Sequence, residues 1–201
     1  MNLKIFLFFL FAPFGFAQTP VHQVDICVYG GTSSGVIAAC TAAKLGKSVL
    51  LIEPGRHLGG LSSGGLGQTD IGNKYAITGL ARDFYRRIGK HYGRLEQWTF
   101  EPHVAEQIFT DYIREAKVPV LFSHRIVSAK KQNGLIQEIV LENSTKPTSA
   151  TNQTVRARQF IDCSYEGDLM ARAGVSYTVG REANNRYGET YNGVQLLDKH
   201  Q

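Results

Sequence analysis

Cysteine is scarce in this sequence, with Cys27, Cys40 and Cys163 the three among 201 residues. No C-x-x-C pair and no His/Cys spacing suited to a metal occurs. An odd, sparse set is also unlike the disulfide frameworks of exported proteins. Cys27 and Cys40 fall in apolar segments and read as small buried residues. Blocks of like charge are missing too. The 22 basic and 17 acidic residues are scattered, and the net charge of +5 lacks the clustered footprint of a nucleic-acid-binding protein. A mildly basic surface suits an anionic ligand. No apolar run reaches the ~20 residues that span a bilayer. With 43% hydrophobic and 19% charged residues, 21 Gly and 6 Pro, the composition is that of a soluble globular chain: one domain, or part of a larger one.

The first seventeen residues read differently. Met1 to Lys4 give a short positive start, Ile5 to Phe11 are uniformly apolar, and Gly15-Phe16-Ala17 put small residues before a cleavage point. The expectation is a signal peptide over residues 1–17, a mature chain from Gln18, and a periplasmic or secreted protein.

Val24 to Tyr29 predict a short buried strand. An Ala-rich helix over Val36 to Ala43 and a second strand over Ser48 to Ile52 complete a βαβ unit with a right-handed crossover. Leu80, Phe84 and Ile88 recur at helical spacing, as do Val104, Ile108, Tyr112 and Ala116 after Pro102. From Val118 the period is that of strands: Val120–Phe122, Arg125–Ala129, Leu135–Leu141 and Val155–Ile161. Asn133-Gly134 mark a hairpin. Residues 143–154 read as an exposed loop carrying two N-x-[ST] patterns, at Asn143 and Asn152.

Chemistry gathers at the glycines. In the first turn, Gly30-Gly31-Thr32-Ser33-Ser34-Gly35, Gly30 permits a tight exit from the strand and Gly35 a close helix–strand approach. The amides that open the helix then face a pyrophosphate. Thr32 stands at the usual middle glycine, and its hydroxyl is a candidate phosphate partner. Alone, such a turn is a weak signal. Glu53 strengthens it, because a carboxylate about twenty residues on, at the end of the second strand, is placed to accept from an adenosine ribose. A second glycine-rich loop follows, from Arg56-His57-Leu58-Gly59-Gly60-Leu61 to Gly67. A simple NAD domain has no need of it, whereas the longer FAD molecule passes over more backbone. Arg56 is a candidate phosphate partner. His57 is a candidate covalent tether, weighed against a solvated histidine, and His103 with Glu106 form a helical pair read as surface decoration.

The run from Asp25 to Asp70, with Gly79-Leu80-Ala81-Arg82-Asp83-Phe84-Tyr85, Phe100 to Glu106 and Phe160 to Asp168, resembles the FAD-dependent oxidoreductases of the two-dinucleotide-binding-domain flavoprotein superfamily. The resemblance is to a bacterial subgroup in which some members are labelled xanthan lyase and in which Thr commonly replaces the middle glycine. It implies FAD as cofactor and an α/β, Rossmann-like FAD/NAD(P)-binding domain with a parallel sheet, crossover helices and a small β-meander. Ile161 to Asp168 resemble the strand-end Ala-Thr-Gly motif, with Cys163 and Ser164 in place of Ala-Thr, which puts Asp162 at the cofactor. A C-terminal FAD segment and a substrate domain are also implied. About thirty residues follow Asp168, so residues 18–201 are expected to be the N-terminal portion of the FAD domain. Three readings stand: part of an exported flavoenzyme acting on an unidentified small molecule, an NAD-dependent dehydrogenase domain, or a truncated non-catalytic nucleotide-binding module. No acid–base constellation for a carbohydrate lyase is visible.

Overall fold

The computed structural model describes residues 20–70 and 72–193; the leader expected over residues 1–17 lies outside the described residues. Strand β1 (Val21–Tyr29) leads through helix α1 (Ser33–Lys44) to β2 (Val49–Glu53). Helices α2 (Gly79–His91) and α3 (Pro102–Ala116) follow, then β3 (Val120–Phe122), β4 (His124–Gln132), β5 (Leu135–Asn143), β6 (Gln153–Asp162) and a short α4 (Asp168–Arg172). One six-stranded sheet has the order β3-β2-β1-β6-β5-β4, parallel from β3 to β6 and antiparallel from β6 to β4. The α/β, Rossmann-like architecture is therefore present, with every predicted strand and helix in place.

Val120–Phe122 depart from the expectation. They pair with β2 in parallel rather than joining the meander. Three residues of alternating pattern do not distinguish the two pairings; the helices before β3 do, because they carry the chain back across the sheet. The meander is β4–β5–β6 alone. Asn133 and Gly134 turn its first hairpin with φ of 52° and 79°, the left-handed pair that a two-residue turn requires.

Period-two alternation divides the core. Val28, Val49 and Leu51 face α1, α2 and α3, where Val36, Ala39, Phe84, Ile88, Val104 and Phe109 bury them. Cys27, Tyr29, Leu50 and Ile52 face the other way, against Ile126, Ile139, Leu141, Val155 and Leu169. The antiparallel half covers this second face by folding over it. Two register shifts in the β4–β5 pairing sharpen the local twist. Ile126 on the outermost strand then donates its amide to the Tyr29 hydroxyl at 3.1 Å. Cys27 and Cys40 are buried as expected, and burial pushes their thiols up to about 12 and about 11, so both stay protonated and inert.

Between α2 and α3, Asp83 accepts from the Tyr112 hydroxyl at 2.5 Å and from Arg87 at 2.9 Å, while Arg87 also forks onto Glu115. Burial opposes the Asp83 charge, but the bonds from Tyr112 and Arg87 prevail and hold its carboxyl below the ordinary 3.8. A depressed carboxyl stabilises the fold above its unfolded pKa, and that contribution is lost as pH falls through the folded one. Urea midpoints measured from pH 6 down to pH 3 should therefore drop less steeply for Asp83→Asn than for the wild type; parallel curves would show that Asp83 is not coupled to folding.

A Cβ on Gly35 would overlap the Gly30 carbonyl oxygen, so α1 sits on β1 at a distance only glycine allows. Gly35→Ala should force the two apart and destabilise the protein by about 1–3 kcal/mol, as overpacking does. Its denaturation midpoint should fall clearly below the wild type, and an unchanged midpoint would contradict the close approach.

Candidate functional site

The register of the parallel strands brings the predicted site together. Tyr29 stands beside Ile52 of β2 on one side and Asp162 of β6 on the other, so the turns after β1, β2 and β6 emerge at one edge. The chain leaves β1 for β2 on one side and receives β6 on the other, which makes this edge a topological switch point where α/β folds bind ligands.

Gly30, with φ of 98°, turns the chain off β1. A Cβ there would lie 2.7 Å from the Ser164 nitrogen and 2.8 Å from the Cys163 carbonyl carbon, so the first glycine turn is packed on the turn after β6. Thr32 is the N-cap of α1. Its hydroxyl accepts the Gly35 amide at 3.3 Å, donates to the Cys163 carbonyl at 2.9 Å and meets the Ser34 hydroxyl at 2.9 Å. This side chain is buried, and its bonds staple the start of α1 to the turn after β6. Ser33 and Ser34 form the first turn of α1, whose opening amides have no carbonyl within the helix to donate to. They carry the positive end of the helix dipole.

Glu53 lies under the same turn. One carboxylate oxygen accepts from the Gly31 amide at 2.7 Å and the other from the Gly55 amide at 2.6 Å. A Cβ on Gly31 would come within 2.8 Å of the first of these oxygens, so the bare Gly31 makes room for the acid. A carboxylate has about four lone-pair positions, so each oxygen keeps one for a ligand.

The second glycine loop docks alongside. Gly59 bridges to Thr32 as a parallel strand would, its amide donating to the Gly31 carbonyl at 2.8 Å. With φ of 100° and the Phe109 ring against it, Gly59 has no room for a side chain. Gly60 and Leu61 open a short 3-10 turn, and the Leu61 amide donates to the Tyr165 hydroxyl at 2.6 Å. Arg56 is exposed and makes no hydrogen bond or ion pair among the described residues. His57 is exposed as well. Its Nδ1 lies 2.9 Å from Glu106, which also takes the Leu58 amide at 3.4 Å. Glu106 thus holds the glycine loop to α3, while His103 is exposed on the helix surface.

Asp162 is at the site, but its carboxylate is used inside the turn. One oxygen accepts from the Ser164 amide and hydroxyl, and the other from the Met170 amide at 2.8 Å. Asp162 shapes the Cys163–Ser164 turn that supports Gly30. The parts that sequence reasoning missed are Tyr165 and Glu106, since both act across more than forty residues and carry no local pattern.

Beside the loop lies an open groove of about 580 Å³, lined among others by Glu53, Arg56, Gly60, Ser63 and His103. A larger one of about 980 Å³ runs along α2 and α3 between charged side chains and shares His103 and Glu106 with the first. The first groove adjoins Glu53 and the second glycine loop, and a smaller one of about 290 Å³ is lined by Ser33 and Ser34 of the first turn together with Ser62.

The described residues fit FAD on three counts: two glycine-rich loops brought together at one edge of the sheet, a helix N-terminus, and a carboxylate with acceptor capacity to spare. Comparison with known proteins agrees. No curated protein matches the chain. Among solved structures, an L-proline dehydrogenase from P. horikoshii superposes with a TM-score of 0.58 at 14% identity, over 81% of this chain and 59% of that one. A geranylgeranyl bacteriochlorophyll reductase-like protein from Thermoplasma acidophilum gives 0.54 at 21%, over 77% and 43%. An L-amino acid deaminase from Proteus vulgaris gives 0.51 at 15%, over 74% and 55%. At these identities the likeness is one of fold, and the chain spans 43–59% of the length of these three structures. The model of the FAD-dependent oxidoreductase family matches residues 25–200. This chain therefore belongs to the FAD-dependent oxidoreductase family.

Proposed function

We propose that this chain supplies the nucleotide-binding half of an exported flavoenzyme that oxidises or reduces a small molecule. The observation that carries the reading is the meeting of the Gly30–Gly35 turn, Glu53 and the Gly59–Gly60 loop at one edge of the sheet. The Gly31 to Ser34 amides would take the pyrophosphate at the N-terminus of α1. Glu53 would accept from the adenosine ribose, and an acid at this position disfavours a ribose bearing a 2′-phosphate. The backbone from Gly59 to Leu61 would run beneath the ligand. FAD, when bound, supplies the hydride or electron transfer, and the protein supplies binding, orientation and electrostatics.

Glu53→Gln should weaken FAD binding by about 10- to 100-fold, the cost of impairing hydrogen bonds to a charged acceptor. Riboflavin 5′-phosphate, which lacks the adenosine half, should bind both forms equally. Titration of the ligand-free protein, followed by flavin fluorescence, checks this. Absence of FAD uptake by the wild type, or equal FAD affinity in the two forms, would remove the assignment.

Export rests on the leader. Ile5 to Phe11, followed by Gly15-Phe16-Ala17, have the make-up of a cleaved secretory signal. Among the described residues no helix is long and apolar enough to cross a membrane. Terminal sequencing of protein recovered from outside the cytoplasm should begin at Gln18; recovery from the cytoplasm with Met1 intact would refute export.

A further inference from the structure

The turn after β6 reaches across to the second glycine loop through one side chain. The Tyr165 hydroxyl accepts the Leu61 amide at 2.6 Å. Its ring lies over the bare face of Gly60, where an added Cβ would collide with the phenol oxygen and come within 3.2 Å of the ring. Tyr165 therefore fills the open side of Gly60 and occupies a backbone donor of the second glycine loop. Yet the side chain is 60% exposed, so little packing holds it there.

Its mounting suits movement. On one side Ser164 is fixed to Asp162, with its hydroxyl at 2.6 Å from the carboxylate. On the other, the Asp168 amide bonds the Ser164 hydroxyl at 2.9 Å, and Gly167 takes a left-handed φ of 68°. Tyr165 and Glu166 form the short exposed span between these anchors.

We infer that Tyr165 is a displaceable latch: its phenol oxygen holds the Leu61 amide and its ring covers Gly60, and it must swing away for the dinucleotide to lie on that backbone. This rests on the FAD reading above. The latch ties the glycine loop to the β6 turn and satisfies the Leu61 donor. The latch must open before the ligand enters, so removing it raises the association rate and, with dissociation unchanged, the affinity alongside.

The test is rapid mixing of the ligand-free chain with FAD, followed by flavin fluorescence. Tyr165→Phe, which removes the hydroxyl alone, should speed association by about 2- to 10-fold, the range expected for one net hydrogen bond. Tyr165→Ala, which also uncovers Gly60, should be faster still, with dissociation within about twofold of the wild type. Because the side chain is largely exposed, neither change endangers the fold. Hydrogen exchange in the ligand-free protein gives a second readout: the Leu61 amide should lose protection in Tyr165→Phe. FAD uptake by the wild type at a rate that Tyr165→Ala leaves unchanged or slows would overturn the latch while sparing the cofactor reading; slowing would make Tyr165 a positioning residue. Failure of every form to take up FAD would overturn both.

Discussion

Glu53 holds two backbone amides at once, Gly31 across the sheet edge and Gly55 in its own loop. Much of the site follows from that arrangement. It fixes the first glycine turn to the end of β2, and the loop that β2 feeds then runs back beneath the turn, Gly59 against Gly31. A carboxylate that accepts amides from both loops holds them together through charge-assisted hydrogen bonds. The bare Cα of Gly31 is what lets the acid reach so far in, which ties the conformation of the turn to the identity of a residue in another strand.

Thr32 shows a second dependence, this time on β6. In a G-x-G-x-x-G turn the middle glycine leaves space; here a buried hydroxyl fills it and bonds both the Gly35 amide and the Cys163 carbonyl. The helix cap and the β6 turn become one unit, and Asp162 completes it from the far side by holding Ser164 and Met170. The site thus has a rigid frame of Thr32, Glu53 and Asp162, with softer parts, Arg56, His57 and Tyr165, exposed at its edge.

How much of this could be read from the sequence depended on distance along the chain. The βαβ unit, the helices of Phe84 and Tyr112, and the Asn133-Gly134 hairpin rest on local periods and turn chemistry, and each stands where the pattern placed it. Glu53 was legible because its spacing from the turn is itself the signal. Val120–Phe122 were readable as a strand but not by partner, since pairing direction is decided by the path of the chain. The inward turn of the Thr32 hydroxyl, the Glu106 contact with the glycine loop and the reach of Tyr165 all depend on residues far away in sequence, and only assembly reveals them.

Strand β6 bonds to β1 along its whole length, from Val21 with Thr154 to Tyr29 with Asp162, while its first residues also bond to β5. More than 120 residues separate the partners, so this is the least local pairing in the sheet and the one whose loop-closure entropy is greatest. On a ribosome, the first glycine turn would emerge early and find Glu53 and Gly59 soon after, but lack its Thr32 bond until Cys163 arrives. The cradle is therefore complete only once β6 has joined β1, whichever helices condense first, so the motif near the start of the chain depends on a strand far downstream of it.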